Sequence, residues 1–136
     1  MIHPGNGMEM IFLDTHVVVW LYAGLVGRLS QYAIYLIENH KLCISPMVLL
    51  ELQYLYEIKK ISIAAENIYK DLHLRIGLTV DHTDWTSITK EALKLDWARD
   101  PFDRYIMAHA LCCDKFLISS DKKMLKKFPL AVFDPI

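Results

Sequence analysis

The sequence predicts a single α/β domain, built on a mainly parallel sheet of about four or five strands flanked by helices. Short continuous apolar runs, typical of strands that are buried on both faces, alternate along the chain with longer amphipathic stretches. The 136 residues suffice for one domain with one core, and no internal repeat or linker divides them. The hydrophobic fraction of 54% lies above the usual ~45–50%, which favours an ordered domain over a disordered chain.

The pattern begins with a strand, two helices and a second strand. The run MIFL at 10–13 is predicted to be a strand, and a short helix is predicted at 17–22. The amphipathic stretch at 30–40 predicts a second helix, for which Ser30 is a suitable N-cap. The run KLCIS at 41–45 is then the second strand, so that helices separate two apolar strands as in an α/β fold.

Two longer helices follow the second strand. The first is predicted at 45–60, because Ser45 is a good N-cap and Pro46 suits the first helical position. The second is predicted at 63–77 and ends at Gly77. Both are therefore bounded by residues that favour helix ends.

The remaining elements repeat the alternation of strands and helices. The run LTV at 78–80 is predicted to be the third strand, and helices are predicted at 86–98 and 100–114. The run FLISS at 116–120 is the fourth strand, and LAVF at 130–133 is a candidate fifth. Strands that alternate with helices in this way predict a mainly parallel sheet.

The composition predicts a soluble cytoplasmic protein. The three cysteines include no C-x-x-C motif, which suits a reduced compartment. The first basic residue is Arg28, so the basic segment of a signal peptide is missing. The longest apolar run, at 17–27, is about half of the ~20 residues that span a bilayer. Residues 1–9 are Gly/Pro-rich and unpatterned, and they are expected to be a disordered leader.

The overall charge does not point to a nucleic-acid partner. The net charge of −1 gives no global basic field, so any polyanion would have to be held by local patches. Basic residues cluster at 59–60 and within 122–127. Each cluster is either such a patch or an ordinary solvated surface.

Acidic residues lie where α/β sheets bind their ligands. Ligands of open α/β sheets lie outside the carboxyl ends of the strands, and two predicted strands run into Asp14 and Asp121 there. Each of the two is alternatively a simple helix cap. Glu51 lies on a predicted helix among apolar residues, where an unpaired carboxylate is costly. It therefore requires a compensating partner, either a lysine in a salt bridge or a metal ion.

The stretch DPFDR contributes two more carboxylates. Asp100 followed by Pro101 is a good helix start, which explains Asp100 as an N-cap and leaves Asp103 unexplained. At about 100° per residue, positions 100 and 103 lie roughly 60° apart on one face of the helix start. A cation in front of the helix would offset the repulsion between the two carboxylates.

Four acidic side chains from separate segments are thus expected to meet, with Asp100 at the margin: Asp14, Glu51, Asp103 and Asp121. An all-oxygen cluster selects Mg²⁺ or Mn²⁺ over zinc, and such sites usually hold phosphate oxygens together with the metal. The matching chemistry is the attack of metal-activated water on a phosphodiester.

Four motifs in this order resemble those of the PIN-domain ribonucleases, in particular the VapC-type toxins of bacterial and archaeal toxin–antitoxin pairs. They read FLDTHVVVWL, ISPMVLLEL, DPFDRYIMAHAL and LISSD. The similarity extends from about Met10 to the C-terminus, so that residues 10–136 are expected to form one PIN domain. It implies an endoribonuclease dependent on Mg²⁺ or Mn²⁺, which hydrolyses RNA phosphodiesters and leaves 5′-phosphate and 3′-hydroxyl ends.

The resemblance also implies metal-binding and catalytic roles for the four acids. Asp14 matches the first metal-binding aspartate of the family, and Glu51 matches the acid of the helix. Asp103 and Asp121 match the third and fourth acids. Asp100 matches an accessory aspartate of the DPFDR subgroup, either as a metal ligand or only as a helix cap.

Three further positions match accessory residues of the family. Thr15 and Ser119 match small hydroxyl residues that hydrogen-bond to carboxylates or to metal-bound water, although SSD here replaces the commoner TAD. Arg104 matches an arginine that either contacts phosphate or pairs with an acid. The resemblance further implies a homodimer, no membrane contact, and a small antitoxin partner whose tail covers the acidic site.

Other functions fit parts of the sequence less well. A phosphatase of the haloacid dehalogenase type needs a second aspartate two residues after Asp14, where this chain has His16. A receiver domain needs a lysine at a later strand end, and none follows Asp121 in that setting. The intact acid set argues against a catalytically weak PIN-like scaffold that binds RNA without cutting it. His16 and His109 have no His-x-x-x-His partner and are interpreted as structural.

Overall fold

The computed structural model describes residues 8–134 and contains a five-stranded sheet. In chain order its strands are β1 (Met10–Leu13), β2 (Lys41–Ile44), β3 (Thr79–Val80), β4 (Leu117–Ile118) and β5 (Ala131–Val132). They lie in the order β3-β2-β1-β4-β5, and every neighbouring pair is parallel. The predicted α/β class with a parallel sheet is therefore confirmed, including its fifth strand.

Seven α-helices connect and cover the strands in the described part of the chain. They are α1 (Thr15–Ala23), α2 (Gln31–Glu38), α3 (Pro46–Glu57), α4 (Ala65–Ile76), α5 (Trp85–Ala92), α6 (Pro101–Cys113) and α7 (Lys122–Lys127). A short 3₁₀ turn at Val26–Arg28 precedes α2. The Ser30 side chain caps α2, Pro46 begins α3 and Gly77 ends α4 with φ 72°, all as predicted from the sequence.

The core lies on both sides of β1, the central strand. Ile11, Phe12 and Leu13 have 0% exposure, and burial of each such side chain stabilises the fold by about 1.5–3 kcal/mol. A strand that is covered on both faces needs apolar residues at consecutive positions, which explains the unbroken run MIFL.

The carboxyl ends of β1 and β4 lie side by side at one edge of the sheet. The Asp14 N–H donates a hydrogen bond of 3.0 Å to the carbonyl of Ile118, the last residue of β4. The strand order reverses here, because β2 and β4 lie on opposite sides of β1. Ligands of α/β sheets bind outside the carboxyl ends of the strands at such a reversal.

Two helices differ from their prediction. Helix α5 ends at Ala92 rather than at 98, because Leu95 and Ala98 enter the core from non-helical backbone. Helix α7 is not predicted by the hydrophobic pattern, since four of its six residues are lysines and only Met124 is buried.

Residues 1–7 of the proposed leader, 1–9, lie outside the part of the chain that the structure describes. At its end, the Glu9 carbonyl accepts a hydrogen bond of 2.9 Å from the N–H of Lys41. Within residues 8–134, no helix has both the length and the apolar composition required to cross a membrane.

Candidate active site

Asp14 is fixed at the end of β1 by hydrogen bonds to both of its carboxylate oxygens. One oxygen caps α1 by accepting the Thr15 N–H at 2.8 Å. The other accepts the Ser119 hydroxyl at 2.6 Å, and that hydroxyl accepts the Asp121 N–H at 3.1 Å. Asp14 has only 5% exposure, and this burial raises the pKa of its carboxyl in spite of the hydrogen bonds.

Glu51 reaches the same edge of the sheet from α3. Its Oε1 accepts the Thr15 hydroxyl at 2.5 Å, so Thr15 and Ser119 each hold one carboxylate. Among the ion pairs of residues 8–134, none joins Glu51 to a lysine or arginine, so the salt-bridge alternative is not observed. Burial, and then the charges of Asp14 and Asp100, raise the pKa of Glu51.

Asp100 and Asp103 lie together at the start of α6. Asp100 is exposed and caps the helix, because its Oδ1 accepts the Asp103 N–H at 3.1 Å. The carboxylate of Asp103 accepts no hydrogen bond from the residues that the structure describes. Burial raises the pKa of Asp103 to about 7, helped by the charges of Asp14, Asp100, Glu51 and Asp121.

Asp121 caps α7, with its Oδ1 accepting the Met124 N–H at 2.9 Å. Asp14, Asp100 and Asp121 are therefore all helix caps, which is the simpler of the two roles that the sequence suggests for each of them. The caps engage one oxygen each on Asp100 and Asp121, and the second oxygen accepts no hydrogen bond in the described part of the chain. Capping thus leaves oxygen atoms of these two residues available to a ligand.

The carboxylates line one open cleft of about 370 Å³. Its walls are formed by Asp14, His16, Trp20, Glu51, Asp100, Asp103, Ser120 and Asp121. No lysine or arginine belongs to these walls, so five carboxylates face the cleft without a guanidinium or ammonium group. This all-oxygen donor set fits a hard divalent cation such as Mg²⁺ or Mn²⁺.

The five carboxylates line the cleft, but their oxygen atoms do not converge on one position. In residues 8–134, no three of them bring oxygen atoms within 4.8 Å of one another. This spacing is the arrangement expected of like charges that repel.

His16 was missed as a residue of the site. It is exposed and lies in the wall of the cleft, a position that its interpretation as a structural residue does not include. Its ring also lies near that of Trp20, with centroids 6.3 Å apart. Its position two residues after Asp14, on the first turn of α1, was the available signal.

Arg104 is engaged away from the acids. Its Nε donates to the Ala92 carbonyl at 2.7 Å and its Nη2 to the Leu93 carbonyl at 3.3 Å, which caps the C-terminus of α5. Among residues 8–134 it forms no ion pair with a carboxylate. Of the two alternatives for Arg104, pairing with an acid is therefore not observed, and a contact with phosphate stays a prediction. In this structure Arg104 joins α6 to the end of α5.

A second cavity, of about 150 Å³, adjoins the acidic cleft. The two share Asp100, Asp103 and Asp121, but the second is also lined by Trp97, Arg99 and Lys123. Neither Arg99 nor Lys123 forms an ion pair within the described residues. Cationic side chains thus stand at one side of the acidic cleft.

The fold and this cleft define a class of protein, an α/β domain with acidic residues at the reversal of its sheet. A family model described as PIN domain matches residues 11–129. The chain therefore belongs to the PIN domain family. A comparison with curated protein sequences gives no significant match.

Similar solved structures cover nearly the whole chain. VapBC2 from Rickettsia felis, bound to a DNA fragment from its promoter, has a TM-score of 0.63 at 20% identity and covers 92% of this chain and 97% of that chain. A toxin–antitoxin complex from Klebsiella pneumoniae has a TM-score of 0.63 at 17% identity, with 90% and 95% covered. DNA-bound VapBC from Salmonella typhimurium has a TM-score of 0.61 at 19% identity, with 93% and 98% covered. At these identities the similarity establishes the fold.

Proposed function

We propose that this chain is a metal-dependent endoribonuclease and the toxin of a toxin–antitoxin pair. The observation that carries the proposal is the cleft, in which five carboxylates of a PIN domain lie together with no lysine or arginine in its walls. Burial and mutual repulsion of such groups are costly, and perturbed carboxylates in a cleft are typical of functional sites.

Asp14, Glu51, Asp103 and Asp121 would hold the metal ion, with Asp100 at the edge of the site. When bound, Mg²⁺ or Mn²⁺ supplies Lewis-acid polarisation of a phosphate and activates water for in-line attack. The chain positions the ligands, because Ser119 holds Asp14 and Thr15 holds Glu51 through their hydroxyl groups. These hydroxyl contacts keep two of the carboxylates in place while the metal is absent.

The RNA strand would enter from the side of the second cavity. An acidic cleft repels a polyanion, so phosphates next to the scissile bond require positive side chains nearby. Arg99 and Lys123 stand in the wall of that cavity, beside Asp100, Asp103 and Asp121. Trp97 lies in the same wall and offers a ring on which an unpaired base can stack. The substrate is therefore proposed to be single-stranded or loop RNA.

The proposed biological role follows from the structural neighbours, which are toxin–antitoxin complexes. We accordingly propose a cytoplasmic homodimer that a small antitoxin protein neutralises by covering the acidic cleft. Exposed apolar side chains on α3, among them Leu50 and Tyr54, provide a surface of the kind that such protein contacts bury.

The test is cleavage of a 5′-labelled RNA that contains single-stranded and paired regions. We expect cleavage with Mg²⁺ or Mn²⁺, none in EDTA, and 5′-phosphate ends on the products. Asp14→Asn should reduce the rate by orders of magnitude, while asparagine preserves the cap of α1. Asp96→Asn is the matched control, because Asp96 is exposed and lies outside both cavities.

The outcome also separates the two PIN-like alternatives. Cleavage that persists in EDTA, with contaminating nuclease excluded, would contradict the metal mechanism. RNA binding without cleavage by the folded wild-type protein, at any concentration of Mg²⁺ or Mn²⁺, would instead support a catalytically weak scaffold.

A further inference from the structure

A second cluster of metal-ligand side chains lies apart from the acidic cleft. It consists of Asp81, which follows β3, together with His109 and Cys113 of α6, and one ligand atom of each lies within 4.8 Å of the other two. None of these residues lines the cleft or the cavity beside it. Among the described residues, no other group of three histidine, cysteine or acidic side chains is as close.

The geometry of the cluster is set by one helix and one strand end. His109 and Cys113 are four residues apart in α6 and therefore share a face of the helix. The His109 Nε2 lies 2.7 Å from the Asp81 Oδ2, and the Cys113 Sγ lies 3.7 Å from the same oxygen. The spacing His-x-x-x-Cys was the sequence signal, and a search for His-x-x-x-His alone overlooks it.

The Nε2 is the nitrogen of the His109 ring that faces the other residues of the cluster. The ring is fully buried and packs on Phe12, with centroids 5.0 Å apart. Its Nδ1 has no hydrogen-bond partner among the described residues. Among the described residues, the one hydrogen bond of the imidazole is therefore that between its Nε2 and Asp81, and the Cys113 Sγ lies within 4.8 Å of the Nε2. The Asp81 side chain is 18% exposed, which gives an ion a path from solvent.

We propose that Asp81, His109 and Cys113 bind a zinc-class divalent cation, independently of the nuclease site. An imidazole, a thiolate and a carboxylate form the mixed donor set that zinc prefers, whereas the acidic cleft offers oxygen alone. Three protein ligands leave a fourth tetrahedral position for water or for the neighbouring Thr83 hydroxyl, which lies 3.1 Å from the Cys113 Sγ.

Binding requires small and defined changes at the three residues. Zinc–ligand distances of about 2.0–2.3 Å place tetrahedral ligands roughly 3.3–3.7 Å apart, so the 2.7 Å Asp81–His109 contact must open by about 0.6 Å. The Cys113 thiol must release its proton to solvent, and the His109 Nε2 must present its lone pair to the ion. The bound ion would then join the end of β3 to α6, the helix on which Asp103 lies at the nuclease cleft.

The test uses Co²⁺ as a spectroscopic substitute for zinc, with the protein held reduced so that its free cysteines stay thiols. We expect one equivalent of Co²⁺ to produce a near-ultraviolet thiolate-to-metal band that excess Zn²⁺ removes and excess Mg²⁺ does not. Cys113→Ser should abolish the band, and the adjacent Cys112→Ser is the matched control that should keep it. Asp14→Asn should also keep it, because that residue belongs to the nuclease cleft.

A second variant covers the case in which Cys113→Ser does not fold. His109→Gln, with folding checked by circular dichroism, should weaken zinc binding by more than about tenfold, since loss of even an outer-shell partner costs 10–100-fold. A wild-type protein without the band would overturn the proposal. So would a band that survives in folded Cys113→Ser, or one that disappears in Cys112→Ser or in Cys43→Ser. None of these readouts depends on ribonuclease activity, so the proposal can fail while the nuclease function stands.

Discussion

Replacement of Asp103 by asparagine should stabilise the metal-free protein at neutral and alkaline pH. Asp103 lies in the first turn of α6, half-buried, with the charges of Asp14, Asp100, Glu51 and Asp121 around it. Asparagine has nearly the same shape and no charge, so Asp103→Asn removes the repulsion without opening a cavity. The variant therefore tests whether these carboxylates form one electrostatic unit.

The magnitude follows from the pKa of Asp103, which rises from 3.8 to about 7 on folding. The folded state holds this proton at pH values at which the unfolded state has released it. The part of the wild-type stability that comes from this proton is therefore present below about pH 4 and is lost as the pH rises to about 7. Each pKa unit corresponds to about 1.4 kcal/mol, which sets an upper limit of about 4 kcal/mol, and solvent screening of this partly exposed carboxyl reduces the loss to about 3 kcal/mol. A carboxylate in the first turn of a helix contributes only about 0.3–1 kcal/mol, so the cost of burying the Asp103 charge, together with the repulsion, outweighs that contribution.

Urea unfolding of wild type and Asp103→Asn in EDTA, from pH 4 to pH 8, measures this difference. The two proteins should have similar free energies of unfolding at pH 4, and the variant should be more stable by about 3 kcal/mol at pH 8. Asp96→Asn should show no such pH dependence, because Asp96 is exposed and belongs to neither cavity. Mg²⁺ should raise the midpoint of wild type more than that of the variant, since a ligand of the native state stabilises it.

A different pattern would refute the reasoning. If Asp103→Asn is clearly destabilised at pH 8 in EDTA, and Mg²⁺ shifts neither midpoint, then Asp103 serves the helix start alone. The carboxylates would then share a cleft without forming a metal site.

Three further outcomes are expected from the same site. Expression of the wild-type chain alone should slow bacterial growth and Asp14→Asn should relieve this, so equal toxicity at equal protein levels would contradict a nuclease toxin. The Mg²⁺ affinity, measured by titration calorimetry, should increase as the pH rises through about 7, because a protonated Asp103 cannot bind metal. Lys123→Ala should reduce the salt dependence of RNA binding by about one phosphate contact, whereas Lys126→Ala, outside the cavity, should not.

The fold could be predicted largely because helices cover both faces of the sheet. Buried parallel strands require uninterrupted apolar runs, and MIFL of β1 and the LCI of β2 satisfy that requirement, whereas Lys41 at the start of β2 is exposed. The lysine-rich α7 could not be predicted in this way, because it buries only Met124 and its cap, Asp121, was interpreted as part of the acidic site. Hydrophobic periodicity reports burial, and a helix that buries one side chain leaves no such signal.

The candidate site could be predicted where a charged side chain lies in surroundings that do not stabilise its charge. Glu51 among apolar residues and Asp103 beside Asp100 each carry a cost that their local structure does not explain. Arg104 and His16 give no such contradiction, since an arginine or a histidine on a helix is ordinary. Their placement, Arg104 on the carbonyls at the end of α5 and His16 in the cleft wall, depends on tertiary packing.

The helix caps and the acidic cleft have one physical origin. A strand that ends at the edge of a parallel sheet turns into a helix there, and an aspartate at the turn satisfies the free N–H groups of the first helical turn. Asp14 does this after β1 and Asp121 after β4, whereas Asp100 caps α6 after a loop. The positive ends of the three helices stabilise these carboxylates. Asp103 caps nothing, and burial together with the charges of the neighbouring carboxylates raises its pKa to about 7. A metal ion bound at Asp103 would therefore offset both the burial of its charge and the repulsion from the neighbouring carboxylates.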